Sequence, residues 1–244
     1  MPLYLPGSVV VGPQSTGTPA PSSLTAYLTS IGKASWYGGY LAGVNMFTAS
    51  AGGGSAVTTN GESVGSWLPY KSTGGWNSRF DQSNNSKRPV YGTNRNGKPG
   101  VYGNATDWFL QLNSSTALNQ PYTLLLSAWV TCAAGSPRLY SHNNQAMAFY
   151  CPTTMGLQPQ VNASSSKRDT NANHVLQASP VDASTVSYRM GWSSAPGSTQ
   201  HYNNAPYLLS SSAGTSYTDS TIYELWFVPW LTPAEISDAL RFLA

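Results

Sequence analysis

The sequence predicts an all-β fold: an antiparallel β-sandwich of the jelly-roll type, with an extended N-terminal arm and a short C-terminal α-helix. Three observations predict it. Short apolar or alternating segments recur from residue 62 onward, separated by Gly, Pro, Asn and Ser turn chemistry. Helix signals are almost missing before the last dozen residues. The chain closes with a strand-like run, "TIYELWFVPW", that feeds directly into a capped helix, "LTPAEISDAL".

Residues 1–23 are rich in Pro, Gly, Ser and Thr around one apolar run, "SVVV", and read as an extended arm or linker that docks on a partner. Leu24, Tyr27, Leu28 and Ile31 have weak helical spacing, while Gly38, Gly39 and Gly43 oppose a long helix. Residues 1–50 are therefore assigned to the arm and a partly ordered N-terminal segment, and residues 51–244 to the sandwich. Gly52-Gly53-Gly54 marks a loop. "SVGSWLPY" reads as a strand and "STGGWNSRFDQSNNSKRP" as a long polar loop. "PVYGT" and "PGVYGN" flank Asn96-Gly97, a strong turn signal, and "DWFLQL" follows.

"YTLLLSAWVTCA" is the most apolar run and reads as the central core strand. "RLYSHN" and "AMAFYC" form a hairpin across Asn143-Asn144. "LQPQVN", "HVLQAS" and "STVSYRMGWSS" continue the series. In the last, Val186, Tyr188 and Met190 alternate with Ser187 and Arg189, as in a half-buried strand. "TQHYNN" and "TIYELWFVPW" complete the strands. Thr232 then caps the final helix, Pro233 takes its first position and Glu235 completes a capping box. Ile236, Leu240 and Leu243 or Phe242 supply one apolar face. A helix of about three turns is marginal alone, so it must lie on the sandwich.

Of 244 residues only 9% are charged, against roughly 25% in an average soluble protein. Ser, Asn, Thr, Gly and Tyr fill the surface instead. The net charge is +3, and the densest basic groups are Lys87-Arg88 and Lys167-Arg168. No basic stripe exists, so nucleic-acid binding is not expected. No apolar run is long enough for a membrane helix, so membrane insertion is not expected. The N-terminus lacks a basic region, and Pro6, Gly7 and Pro13 interrupt any apolar core, so it does not read as a signal peptide. Cys132 and Cys151 read as two buried thiols, with a bridge the alternative if they lie on neighbouring strands. With His142, His174 and His201 they are too few and too scattered for a zinc site. No metal or cofactor is expected.

A glycoside hydrolase needs two carboxylates facing one another across a sugar. The acids here are Glu62, Asp81, Asp107, Asp169, Asp182, Asp219, Glu224, Glu235 and Asp238. Glu235 is explained by capping. Asp219 and Glu224 are five apart, which sets them on opposite faces of a regular strand. No Gly-x-Ser-x-Gly elbow and no phosphate-binding loop occurs. The expectation is that the protein is not an enzyme. Asp81, Asn84 and Asn85 in "FDQSNN" offer oxygens to calcium, but a turn held by Asn and Asp explains them better.

Aromatic residues are the remaining lead. Trp67, Trp129 and Trp226 sit in apolar contexts and are assigned to the core. Trp36, Tyr37 and Tyr40 cluster among glycines, Trp76 lies in the polar loop, and Tyr202 precedes Asn203 and Asn204. Aromatic faces beside amides suit sugar rings, and equally suit a protein partner. These seven residues are the candidate carbohydrate- or partner-binding set.

The order of motifs resembles a known family. A Gly-x-Trp strand ("VGSWLPY") and a polar loop precede "KRPVYGTNRNGKPGVYGNATDWFLQL", a central "YTLLLSAWV" and a closing "YELWFVPWLTPAEISDALRFLA". This resembles the concanavalin A-like or laminin-G-like jelly rolls of phage and bacterial surface proteins, over roughly residues 57–244. The chain departs from that pattern after Trp67, where "LPYKSTGGWN" replaces the family's Asp and Ser-Gly-x-Gly. The resemblance implies two apposed antiparallel sheets and no particular activity. A phage particle would reconcile an extracellular-looking surface with the missing export signal. The expected function is thus a non-enzymatic virion protein, in capsid decoration or tail attachment, assembled in the host cytoplasm and released by lysis. Its partners would be other virion proteins and further copies of itself, as in a trimer. The alternative is a lectin-like module that binds a host surface glycan; a polysaccharide hydrolase ranks below both.

Overall fold

The computed structural model describes residues 21–93, 97–113, 122–130, 138–141, 148–150, 158–160, 173–180, 186–193, 206–210 and 219–243. The strands, in chain order, are β1 (Tyr37–Leu41), β2 (Met46–Phe47), β3 (Ser66–Trp67), β4 (Lys71–Thr73), β5 (Arg79–Asp81), β6 (Val90–Gly92), β7 (Gly100–Tyr102) and β8 (Leu110–Asn113). They continue as β9 (Tyr122–Val130), β10 (Arg138–Ser141), β11 (Ala148–Tyr150), β12 (Gln158–Gln160), β13 (Asn173–Pro180), β14 (Val186–Ser193), β15 (Tyr207–Leu208) and β16 (Thr221–Pro229). Helices α1 (Leu24–Ser30) and α2 (Pro233–Ala239) flank the set.

These strands form two antiparallel sheets. The first runs β13-β14-β9-β16-β1-β4, with β7 also pairing to β16 and β6 to β7; the second runs β12-β11-β10-β15-β8-β5-β3-β2. Buried side chains of both sheets meet between them, among them Tyr40, Leu124, Leu126 and Phe227 from the first and Trp67, Phe80, Leu110 and Tyr140 from the second. The protein is therefore an all-β sandwich, as the strand pattern predicts. The apolar run at 122–130 is central: β9 pairs with β14 on one side and β16 on the other.

The ending folds as its residues dictate. The Thr232 side chain accepts from the Glu235 amide at 3.3 Å, and the Glu235 carboxylate accepts from the Thr232 amide at 2.7 Å. Ile236, Ala239, Leu240 and Leu243 face a second core on the outer side of the first sheet, against Leu125, Trp226 and Val228. Each large aliphatic side chain so buried contributes about 2 kcal/mol. Ser23 caps α1, and the Tyr27 hydroxyl donates to the Glu235 carbonyl at 3.2 Å, which ties α1 to α2.

β1 lies between β16 and β4, and β2 edges the second sheet. Residues 24–30 form a short helix, in keeping with the helical spacing of Leu24, Tyr27 and Leu28; the Ser23 cap and that stripe suffice once docked. One expectation is corrected here: "STGGWNSRFDQSNNSKRP" is not simply a loop, since β4 ends within it and β5 runs through it. Arg88 anchors its far end, donating to the carbonyls of Gln82 at 3.0 Å and Thr48 at 2.7 Å. The arm at 1–20, both cysteines and the hairpin turn at Asn143-Asn144 lie outside the described residues, as do His142 and His201.

Candidate functional site

The predicted aromatic set divides about β1. Along this strand Tyr40 points into the core between the sheets, while Tyr37 packs on the outer core against Trp226, with ring centroids 5.7 Å apart. The two glycines between them leave flat backbone on both faces. A Cβ on Gly38 would lie inside the Trp76 indole, and one on Gly39 would stand 2.7 Å from the Trp226 ring. Two indoles thus clamp one strand from opposite sides. Only residues without side chains permit so close an approach.

The structure brings Trp36, Tyr40 and Trp76 together. Trp76 is buried, stacks on Phe227 at 5.2 Å, and donates its indole N–H to the Tyr40 hydroxyl at 3.0 Å. Tyr40 in turn donates to the Ser78 carbonyl at 2.7 Å. Burial pushes the Tyr40 phenol far above its ordinary range, partly opposed by the Trp76 hydrogen bond. Tyr40 and Trp76 are therefore core residues, and the expectation that they present open faces is corrected. Gly38 is the reason: it makes room for an indole that the polar sequence around Trp76 would otherwise leave outside. Trp36 is half-buried and lies on Trp76 at 5.7 Å with the rings only 13° from parallel. It is the member of this stack that retains exposed surface. Tyr37 is also half-buried, and Tyr202, Asn203 and Asn204 lie outside the described residues. Trp67 and Trp226 are buried as expected, whereas Trp129 is half-exposed and not a core residue.

A second constellation sits on the outer face of the first sheet. On three adjacent strands the outward residues change from apolar to polar at one level. Arg189 of β14 stands opposite Ser127 of β9, which stands opposite Glu224 of β16. One row away, Gly191, Leu125 and Trp226 lie beneath the α2 side of the outer core, where a Cβ on Gly191 would strike Ile236. Glu224 is 4% exposed, and its Oε1 accepts from the Trp226 indole at 2.7 Å and the Tyr70 hydroxyl at 3.0 Å. Burial first, then the Glu224 charge, raises the Tyr70 phenol well above its usual range. Beyond this row lie Trp129, half-exposed, and Thr221, whose buried hydroxyl has no partner. A bulge between Ile222 and Glu224 sets the register. In the sequence Glu224 reads as one acid of an unmatched pair with Asp219. The missed signal was three polar residues at matched depth in "LSAW", "SYRM" and "YELW".

Other acids are engaged locally. Asp81 accepts from Arg79 at 2.7 Å and from the Ala51 amide at 2.9 Å, and Asn84 caps the short 3₁₀ turn at 85–87. Glu62 accepts from the amides of Thr58 and Thr59, both at 2.7 Å, and the two backbone hydrogen bonds lower its carboxyl below the usual range. Asp107 accepts from Asn104 at 2.8 Å. Among the described residues no three of His, Cys, Asp and Glu gather where a metal ion could be held.

The fold and its faces define a two-layer antiparallel β-sandwich. No protein family and no curated protein matches the chain. Among solved structures it is similar to Trypanosoma rangeli sialidase in complex with the inhibitor DANA, at 14% identity and a TM-score of 0.38. It is also similar to the same sialidase carrying 2,3-difluorosialic acid as a covalent intermediate, at 14% identity and a TM-score of 0.39. In each case 84% of this chain is covered and only 36% of the sialidase chain. The matched chains are those of an enzyme, and the expectation that this protein is not an enzyme is withdrawn. At such identities and TM-scores the likeness brings no residue role, substrate or reaction to this chain.

Proposed function

We propose that the protein is a glycan-recognising β-sandwich displayed on the surface of a particle. One observation carries the reading: the half-buried Trp36 ring, held nearly parallel on a buried Trp76 that is itself fixed by Tyr40. Such a ring is already oriented before a ligand arrives, so a sugar stacking on its exposed part orders little of the protein. The scarcity of charge supports the same reading, since neutral hydroxyl and amide groups match the hydroxyls of a sugar. The test is a glycan array probed with wild-type protein and with Trp36→Ala. The reading predicts retention of defined glycans by the wild type and their loss by the variant at unchanged folding. Identical profiles, or no retained glycan, would refute it.

The particle we propose is that of a bacteriophage. The charge-poor surface and the resemblance of the "KRPVYGT" and closing segments to jelly rolls of phage surface proteins support this setting. Capsid, portal or tail genes adjacent to this one would be the expected finding, and an unrelated neighbourhood the contrary one.

A further inference from the structure

We infer that the Trp36 platform takes internal residues of an uncharged, extended glycan chain, not a chain end. The inference rests on the glycan reading and adds which part of the ligand is read. Its first support is where the ring lies. Trp36, just before β1, shares the inner side of Gly38 and Tyr40 and heads a stack: Trp36 on Trp76 at 5.7 Å, then Trp76 on Phe227 at 5.2 Å. Trp76 lies between β4 of the first sheet and β5 of the second, so the chain crosses from one layer to the other at this stack. Among the described residues β4 is the last strand on that side of the first sheet. The platform therefore stands on the seam of the sandwich and not on the floor of either sheet.

The second support is the turn beside it. The Trp76 amide donates to the Thr73 carbonyl at 3.2 Å, and Gly74 and Gly75 have φ of 64° and 78°. Positive φ at both central positions is the mark of a tight primed turn. The two glycines do different work. A Cβ on Gly74 would fall 2.4 Å from the Ser35 carbonyl oxygen and the Trp36 Cβ, so the turn is pressed on the Trp36 backbone and holds it. A Cβ on Gly75 would meet nothing within 4 Å. Ser35, Ser72, Gly74, Gly75 and Asn77 are exposed and short. These residues raise no wall beside the indole. Gripping a chain end takes an enclosing pocket, whereas a ring with a low border lets the glycan run on past it.

The third support is charge. Residues 34–43 and 72–78 contain no charged side chain. The basic residues next to these segments are committed or face elsewhere. Lys33 lies over the Trp230 ring at 5.3 Å, Arg79 pairs with Asp81 at 2.7 Å, and Lys71 stands opposite Gly39 on the outer side of the sheet. A carboxylate or sulfate would find no cation in either segment, while the C–H face of a neutral pyranose extends the stack of rings by one layer.

The test measures binding by ligand-observed nuclear magnetic resonance. The probes are maltohexaose, cellohexaose, laminarihexaose and β-1,4-mannohexaose, each unblocked and with both ends blocked, by a methyl glycoside and a 4,6-O-ethylidene acetal. Oligogalacturonate is the acidic comparison. At least one neutral chain should bind, its blocked form within about twofold of its unblocked form, and oligogalacturonate at least about tenfold more weakly. Trp36→Ala should abolish this binding. Gly75→Asn, which tolerates a positive φ and raises a side chain into the open space, should weaken the blocked chain at least about fivefold at unchanged Tm. Loss of binding on blocking, oligogalacturonate bound as tightly as the neutral chains, or Gly75→Asn equal to wild type overturns the inference and leaves the glycan reading standing. So does an array glycan retained through Trp36 while none of the neutral chains binds. If no glycan is bound in either experiment, both fall.

Discussion

Replacing Gly38 by alanine tests the clamp on β1. The added methyl would occupy the space of the Trp76 indole, whose Nε1 and Cδ1 are its nearest neighbours. The ring cannot swing freely: it is packed between Trp36 and Phe227 and donates to Tyr40. Forcing a methyl into a filled site costs about 1–3 kcal/mol. Loss of the Trp76–Tyr40 hydrogen bond adds about 1 kcal/mol. The sum, about 2–4 kcal/mol, corresponds to a fall in Tm of roughly 5–15 °C for a chain of this length. Urea denaturation followed by tryptophan fluorescence measures it. The mechanism is isolated by repeating the substitution in a Trp76→Ala background. There the methyl has nothing to strike, so its cost should shrink towards zero or change sign, because alanine loses less backbone entropy than glycine. An equal cost in both backgrounds, or none in the wild type, would refute the clamp.

Three further outcomes follow from the same packing. Glu224→Ala leaves two buried donors, Tyr70 Oη and Trp226 Nε1, without their acceptor and should cost about 2–5 kcal/mol by chemical denaturation, whereas Glu224→Gln, which keeps a carbonyl in place, should cost less. Tyr40 and Tyr70 have phenols raised above their ordinary value of 10.0. The folded state therefore holds protons that the unfolded chain releases, so this contribution is intact below pH 10 and is lost as pH rises above it; denaturation midpoints taken between pH 8 and 11 should fall only above about pH 10, and Tyr70→Phe should make the fall shallower. Thr232→Ala removes the α2 cap and should cost about 1 kcal/mol, measured as a Tm lowered by a few degrees.

How much the residues reveal in advance depends on how local the cause is. The α2 terminus is legible because Thr232, Pro233 and Glu235 act within one turn. β9 is legible because a short, mostly apolar run, opened by Tyr122-Thr123 and closed by Trp129-Val130, reads as a strand buried on both faces. β1 is not legible, since Gly38 and Gly39 suppress every propensity signal for the strand they belong to. Their purpose appears only when Trp76 and Trp226, 38 and 187 positions further on, arrive from opposite sides. The burial of Trp76 is hidden for the same reason. The row of Arg189, Ser127 and Glu224 requires the register of three strands and one bulge, which no single segment contains.

The most direct measurement is a nitrogen-edited spectrum of the tryptophan indoles, titrated with a glycan retained on the array. The account predicts that the Trp36 indole shifts in a saturable way while Trp67, whose N–H donates to the Leu41 carbonyl deep in the core, stays still. A spectrum in which Trp36 does not move, or in which Trp67 and Trp36 move alike, would contradict it.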